Sequence, residues 1–238
     1  MSEAPGGGNR EVAPGLVVRG FAPPLRLADF ALVAFDMDST LIAIECVDEI
    51  ADVAGKKTEV SAITEAAMRG EIADYKESLR RRVALLAGVP ASALQRVYDE
   101  RLKLSPGAER LLAGMRAIGA QSLLVSGGFT FFTERLKARL GIDHTCANTL
   151  EIAAGRLTGR LIGPMVDAEA KAECLGRLRA SLATEGGLAV AIGDGANDLP
   201  MLKAADISVA YHAKPVVRAG ATYAIDYCGL DAILNLFE

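Results

Sequence analysis

The chain has 238 residues, of which 51% are hydrophobic and 24% are charged, the balance of a globular protein with one or two domains. A net charge of −4 gives no basic field for a nucleic acid backbone, and the absence of tryptophan leaves few platforms on which bases could stack. Two histidines leave little room for histidine-based catalysis or for a multi-histidine metal site. We therefore expect no nucleic acid partner.

The beginning of the chain shows no targeting signal. The first residues lack the basic segment and apolar stretch of a signal peptide, and no apolar run reaches the roughly 18 residues of a membrane span. The four cysteines are isolated, without a C-x-x-C pair, a pattern typical of reduced thiols. These features predict a cytoplasmic protein without a membrane partner, and they leave its oligomeric state open.

Residues 1–24 contain four of the nine prolines and three consecutive glycines, which predicts a flexible N-terminal tail or a loosely docked arm. Unbroken apolar runs follow, and such runs are typical of parallel strands covered on both faces. Helical patterns separate them, so we predict an α/β core of residues 25–42 and 106–238 with a doubly wound, parallel Rossmann-like sheet. The predicted strands are 30–35, 122–125, 188–192 and 207–210, and the predicted helices are 108–118, 131–140, 168–183 and 199–204.

Two insertions interrupt this pattern. Residues 43–105 contain four helical segments, at 46–54, 59–69, 74–87 and 91–102. A connection of this length is too long for a simple crossover, so it predicts an inserted α-helical cap domain. A second insertion, residues 148–166, contains the turn pair Ala154-Gly155 and predicts a small β-hairpin.

Polar clusters follow three of the predicted strands, at residues 36–40, 126–128 and 193–198. Because parallel strands present their carboxyl ends at one edge of a sheet, the clusters predict a single site. Strand alternation turns Asp36 and Asp38 to the same side, where they repel each other unless a cation or a shared proton separates them. Mg²⁺ is the natural partner of such oxygens, and a simple helix N-cap is the alternative.

The other two clusters supply further polar groups. Asp194 and Asp198 are four residues apart across a strand-to-helix turn and can both lean towards a cation, while Asn197 adds a neutral donor and acceptor. The hydroxyl and N–H groups of residues 126–128 can form an anion cradle, although an ordinary strand-to-helix turn is the simpler interpretation. Lys171, on a predicted helix, is by residue pattern alone a solvated lysine.

The chain contains no G-x-x-x-x-G-K-[ST], G-x-G-x-x-G or G-x-S-x-G motif, so nucleoside triphosphatases, dinucleotide-binding proteins and esterases are not indicated. The three clusters, in this order and with a helical cap after the first, resemble the haloacid dehalogenase (HAD)-like hydrolases, and within them the phosphoserine phosphatase family. The resemblance rests on residues 35–40, 125–129 and 193–198 and covers nearly all of the chain after residue 25.

The resemblance implies a role for each acidic residue. Asp36 would be the nucleophile that becomes an aspartyl-phosphate, and Asp38 would be the general acid and base. Mg²⁺ would be bound by Asp36, Asp194 and the main-chain carbonyl of Asp38, with Asp198 supporting these ligands.

The resemblance also implies the substrate contacts of the core. Ser126, Gly127 and Lys171 would hold the phosphoryl oxygens, where negative charge calls for fixed donors. Asn197 is the remaining core residue that is predicted to bind the substrate.

Two residues of the predicted cap carry the expected specificity. Arg82 shares a helical stripe with Tyr75 and Leu79, so it either binds an anion or belongs to the exposed run 80–82. Glu45 lies in an apolar stretch, where it is either a helix-start residue or, by the resemblance, the partner of a substrate ammonium group. The resemblance implies a small-molecule substrate, O-phospho-L-serine, and hydrolysis to serine and phosphate as the last step of L-serine biosynthesis.

Several features leave alternatives open. Tyr75 stands where some relatives have phenylalanine, and His212 is a further departure. We expect neither to take part in the chemistry, although Tyr75 could tune which amino acid fits. Met68 is expected to line the same substrate pocket. A HAD-type enzyme acting on another small phosphate ester, or transferring the phosphoryl group to an acceptor such as homoserine, would share the motifs. A non-catalytic, receiver-like phospho-acceptor domain is a third possibility, but it would need neither the cap nor Glu45 and Arg82.

Overall fold

A computed structural model describes residues 10–18, 25–69, 71–72, 74–182 and 187–237. Within these ranges one sheet has the strand order β1-β2-β9-β8-β7-β3-β4-β5-β6, in which the contiguous set from β9 to β5 is parallel. The strands are β1 (Arg10–Ala13), β2 (Leu16–Val18), β3 (Phe30–Phe35), β4 (Gln121–Phe129), β5 (His144–Ala153), β6 (Arg156–Ile162), β7 (Leu188–Gly193), β8 (Ile207–Tyr211) and β9 (Tyr223–Ile225).

Helices cover both faces of the sheet, which confirms the predicted doubly wound α/β class. They are α1 (Cys46–Val53), α2 (Lys57–Met68), α3 (Tyr75–Leu85), α4 (Ser92–Glu100), α5 (Ala108–Ala117), α6 (Thr130–Leu140), α7 (Ala168–Ser181), α8 (Leu199–Ala204) and α9 (Pro215–Gly220). Short 3-10 helices span Leu27–Asp29, Ala196–Asp198 and Leu230–Leu236.

The side chains of β3 alternate between two apolar layers. Val33 and Phe35 pack into the layer that includes α5, α6 and the C-terminal 3-10 helix, whereas Leu32 and Ala34 pack into the layer formed with α7, α8 and α9. A strand buried on both faces needs apolar residues at every position. This explains the unbroken apolar runs that precede the polar clusters.

Helices α1 to α4 lie between β3 and α5, in the segment where the sequence predicts a cap. The chain leaves and re-enters the core side by side, with the Ala43 N–H donating to the Lys103 carbonyl at 2.9 Å. The predicted hairpin is formed by β5 and β6, and the N–H of Leu157 in β6 donates to the carbonyl of Val89 in the cap at 2.9 Å. The helical segment is therefore attached through one pair of connections and contacts the hairpin.

Of the two predicted forms of the N-terminal segment, residues 10–18 fit the docked arm and not the flexible tail. There β1 and β2 form an antiparallel pair that extends the sheet beyond β9, because the side chains of Leu16 and Val18 are buried against it. The strands have four and three residues, too short for a periodic signal. The rest of the predicted tail that precedes Leu25 lies outside the described residues.

The prediction of four reduced cysteines is wrong for one pair. Cys146, on β5, and Cys174, on α7, form a disulfide, whereas Cys46 and Cys228 are free thiols. A separation of 28 residues conceals this proximity in the sequence. No helix in the described ranges is long and apolar enough to cross a membrane.

Candidate active site

The three polar clusters meet at the carboxyl edge of adjacent strands. Asp36 follows β3, Gly127 lies near the end of β4, and Asp194 follows β7, and β3 lies between the other two strands. The three clusters face a cleft of about 210 Å³, which lies between the core and the helices inserted after β3. Every predicted site residue lines the cleft except Ser126 and Asp198, which are buried beside it.

Lys171 lies between two carboxylates. Its Nζ donates to Asp36 Oδ1 and to Asp198 Oδ1, both at 2.7 Å, and its side chain is only 1% exposed. Burial alone would lower the pKa of Lys171, but the charges of Asp36 and Asp198 outweigh burial and raise that pKa above its ordinary value. Lys171 is therefore a buried, fixed positive charge. The residue pattern alone suggested a solvated lysine, which is wrong.

The charged groups around Asp36 are more negative than positive. Burial first, and then the neighbouring Asp198, raise the pKa of Asp36 well above its ordinary value, although Lys171 opposes this. Burial likewise raises the pKa of Asp194 to about 6. A bound cation would favour the ionised form of both carboxylates.

The carboxylates of Asp36, Asp194 and Asp198 each offer an oxygen, and these oxygens lie within 4.8 Å of one another. Both oxygens of Asp198 already accept hydrogen bonds, from Lys171 and from the Gly195 N–H at 2.9 Å. Carboxylate oxygens are the ligands of hard divalent cations, so the donor set fits such an ion. These two hydrogen bonds would leave Asp198 less free than an unpaired carboxylate to bind a cation directly.

Asp38 is held by hydrogen bonds on both oxygens. Its Oδ1 accepts from the Cys46 N–H at 2.7 Å and its Oδ2 from the Ser126 hydroxyl at 3.2 Å. Burial raises the pKa of Asp38 despite these bonds, which favours the protonated form that a general acid requires. A Cβ at position 128 would lie 2.6 Å from Asp38 Oδ2, so a larger residue there would displace this carboxylate.

Arg82 points into the cleft from α3. Its Nε is buried and has no hydrogen-bond partner among the described residues. Its neighbours Arg80 and Arg81 are exposed and pair with Glu77. Helical geometry therefore separates Arg82 from the run 80–82, and its buried donor leaves it able to bind an anion in the cleft.

Glu45 reaches the cleft from the start of α1. It accepts a hydrogen bond from the Ser39 hydroxyl at 2.7 Å. Although the side chain is exposed to the water of the cleft, desolvation by the surrounding protein and the charge of Asp38 raise the pKa of Glu45 to about 7. A cationic group in the cleft would favour its ionised form.

Some contributions are not evident from the sequence. The Thr40 hydroxyl donates to Asp194 Oδ1 at 2.9 Å and so orients that carboxylate. In the sequence, the only indication of this role is that Thr40 belongs to the first polar cluster. His212 does not line the cleft and hydrogen-bonds the Cys228 carbonyl at 2.9 Å. The Met68 side chain, expected in the pocket, lies outside the described residues.

Comparison with known proteins agrees with this geometry. A haloacid dehalogenase-like hydrolase family profile matches residues 33–203. Phosphoserine phosphatases of Albidiferax ferrireducens and of a Polaromonas species are each 57% identical to the chain, over 95% and 96% of its length and 98% of theirs. A solved structure, the phospho-aspartyl intermediate analogue of a phosphoserine phosphatase, has a TM-score of 0.79 and 36% identity, and the match covers 88% of this chain and 99% of that chain. The chain therefore belongs to the haloacid dehalogenase-like hydrolase family, together with these phosphoserine phosphatases.

Proposed function

We propose that this protein hydrolyses O-phospho-L-serine to L-serine and phosphate in a Mg²⁺-dependent reaction, the last step of L-serine biosynthesis. The observation that carries the proposal is the charge arrangement of a single cleft. Asp36 and Lys171 face it from the core, whereas Arg82 and Glu45 face it from the inserted segment. Arg82 and Glu45 complement the carboxylate and the ammonium of an amino acid, and the core groups complement a phosphoryl group.

The first step would form a covalent intermediate. A carboxylate oxygen of Asp36 attacks phosphorus while the bond from phosphorus to the serine oxygen breaks. Asp38, whose burial favours the protonated form, gives its proton to that oxygen and releases serine. The product on the enzyme is an aspartyl-phosphate at Asp36.

The second step would restore the enzyme. Asp38, now ionised, takes a proton from a water molecule whose oxygen attacks phosphorus. The bond between phosphorus and the Asp36 oxygen breaks, and inorganic phosphate leaves. The same two carboxyl groups therefore serve both steps, and the net reaction consumes one water.

The phosphoryl oxygens need donors in both steps. Lys171, the Gly127 N–H and Asn197 line the cleft and would hold these oxygens. Ser126 would join them by turning its hydroxyl away from Asp38 once that carboxyl is protonated. Mg²⁺, bound by Asp36, Asp194 and the Asp38 main-chain carbonyl with Asp198 in support, would supply charge that favours ionised Asp36 and offsets charge on the phosphoryl group.

The inserted segment, residues 43–105, would act as a substrate-specificity cap over a core formed by residues 25–42 and 106–238. Five lining residues come from this segment, and the two charged ones, Glu45 and Arg82, would contact the amino acid part of the substrate. The nucleophile and the general acid and base, Asp36 and Asp38, would belong to the core.

The test is phosphate release with Mg²⁺ or with EDTA, at matched concentrations of phosphoserine, phosphothreonine, phosphoethanolamine, sugar phosphates and nucleotide monophosphates. A strong, Mg²⁺-dependent preference for phosphoserine supports the proposal. Release from other esters but not from phosphoserine would refute the assigned substrate and retain the hydrolase chemistry. Faster formation of phosphohomoserine than of phosphate, with homoserine present, would identify a phosphotransferase.

A receiver-like domain is tested separately, by adding acetyl phosphate with Mg²⁺. A receiver would retain its aspartyl-phosphate for many minutes, whereas a phosphatase would hydrolyse it. The helices α1 to α4 and the cleft-facing Arg82 already favour the enzyme, because a phospho-acceptor domain has no use for them.

A further inference from the structure

The hydroxyl of Tyr75 lies directly over Gly127. Tyr75 is the first residue of α3, in the inserted segment, whereas Gly127 belongs to β4 of the core. A Cβ at position 127 would lie 2.0 Å from the Tyr75 hydroxyl oxygen and 3.1 Å from Cζ. The phenol therefore occupies the space that any other residue at position 127 would fill.

This hydroxyl is available as a donor. Burial raises the pKa of Tyr75 to about 12, so the phenol is protonated at neutral pH. Among the residues that the structure describes, none hydrogen-bonds the hydroxyl. Because Tyr75 lines the cleft and is only partly buried, a ligand in the cleft can accept its hydrogen bond.

The surroundings identify the part of the ligand that it faces. Gly127, over which the hydroxyl lies, is itself a proposed contact of the phosphoryl group. Lys171 and Asp36, which would also face that group, line the same cleft. A neutral donor over Gly127 is thus placed where the oxygens of a phosphoryl group would be bound.

We propose that the Tyr75 hydroxyl donates a hydrogen bond to a non-bridging phosphoryl oxygen, which makes it a phosphoryl-binding catalytic residue supplied by the inserted segment. This inference rests on the proposed phosphatase function. Since the donor belongs to α3 and the other phosphoryl contacts belong to the core, the bond connects the two parts of the molecule across the phosphoryl group. A phenylalanine at position 75 would fill nearly the same space without supplying the hydrogen-bond donor.

The first experiment measures binding of inorganic phosphate to the Mg²⁺-loaded protein by calorimetry, and phosphate inhibition of phosphoserine turnover. Tyr75→Phe removes only the hydroxyl, and Tyr98→Phe on α4, which does not line the cleft, is the matched control. A hydrogen bond to a charged acceptor predicts roughly tenfold weaker phosphate binding in Tyr75→Phe. Tyr98→Phe should bind phosphate like the wild type.

The substrate pattern distinguishes the phosphoryl group from the amino acid part. Tyr75→Phe should lower kcat/KM by a similar factor for phosphoserine and phosphoethanolamine, because both carry the same phosphoryl group. Unchanged phosphate binding in Tyr75→Phe, or a loss confined to phosphoserine, would overturn the inference. If wild type binds phosphate but hydrolyses no ester, the proposed function fails, while the phosphate binding of Tyr75→Phe still decides the role of the hydroxyl.

A second variant tests the geometry independently. Gly127→Ala adds the methyl group that meets the phenol oxygen at 2.0 Å, so it should displace the hydroxyl. In the Gly127→Ala background, Tyr75→Phe should therefore cost much less phosphate affinity than in the wild type. Equal losses in the two backgrounds would contradict the placement of the hydroxyl over Gly127. Unfolding temperatures of all variants show whether each is folded.

Discussion

The ammonium group of Lys171 lies 2.7 Å from Asp36 Oδ1, across 135 residues of sequence, in a pair that is almost fully buried. A second carboxylate, Asp198, lies at the same distance from the ammonium. The lysine therefore compensates two buried negative charges, one of which is the proposed nucleophile. We therefore expect both the stability of the buried site and the proposed reaction to depend on Lys171.

Replacing Lys171 should destabilise the protein. Lys171→Met leaves Asp36 and Asp198 without their partner, and breaking a buried ion pair costs about 3–5 kcal/mol. Urea unfolding of metal-free protein at pH 7 measures the difference, with Lys203→Met, an exposed lysine of α8, as the control. Lys171→Met should recover part of its stability at low pH, where the carboxylates are protonated. Equal stability of the two variants would mean that the buried pair contributes nothing.

Asp36→Asn should abolish turnover with little effect on the fold. The substitution removes the nucleophilic oxygen's charge but almost no volume, and loss of a nucleophile lowers kcat by roughly a thousandfold or more. The measurement is phosphate release with Mg²⁺, accompanied by circular dichroism and an unfolding curve. Retained activity in a folded Asp36→Asn protein would refute the covalent mechanism.

Arg82→Ala should discriminate between substrates. A charge-assisted pair between the guanidinium and a carboxylate predicts a loss in kcat/KM of about 10- to 100-fold for phosphoserine. Phosphoethanolamine has the same ammonium and phosphoryl groups without the carboxylate, so its turnover should change little. Arg81→Ala, on the exposed side of α3, is the control. Equal losses on both esters would exclude Arg82 from carboxylate recognition.

Much of the fold and the site could be predicted because the relevant signals are local. A buried parallel strand is apolar throughout, so β3 and the aspartates that follow it are visible within a few residues of sequence. Contacts between distant residues are not visible in this way. The Tyr75 hydroxyl over Gly127 and the pairing of Lys171 with Asp36 depend on how α3 and α7 lie against the sheet, which no local pattern specifies.

The disulfide also joins residues that are distant in sequence, so no local pattern predicts it, and counting reactive thiols tests it directly. Cys146 and Cys174 are bonded, so only two of the four thiols should react with a thiol reagent in denaturant without reductant, and four after reduction. A loop of 28 residues predicts a loss in stability of about 3–4 kcal/mol on reduction. Cys146→Ser should lose a similar amount without reductant and then be insensitive to it. Four reactive thiols in unreduced protein would contradict the disulfide.

The last prediction concerns pH and Glu45. The pKa of this carboxyl is about 7 in the folded protein, above its ordinary 4.5, so the folded state binds the proton more tightly than the unfolded state. The stabilisation from that proton is complete below pH 4.5 and is lost as the pH rises through about 7. Since water reaches the carboxylate, the effect should be modest.

Unfolding temperatures of metal-free protein between pH 5 and pH 8.5 test this. The wild type should lose stability more steeply with rising pH than Glu45→Gln, which cannot ionise at this position, while the exposed control Glu59→Gln on α2 should follow the wild type. Phosphoserine added at pH 8 should stabilise the wild type more than Glu45→Gln, because its ammonium group favours the ionised carboxylate. Parallel curves for the wild type and Glu45→Gln would show that this carboxyl is not held protonated by the cleft.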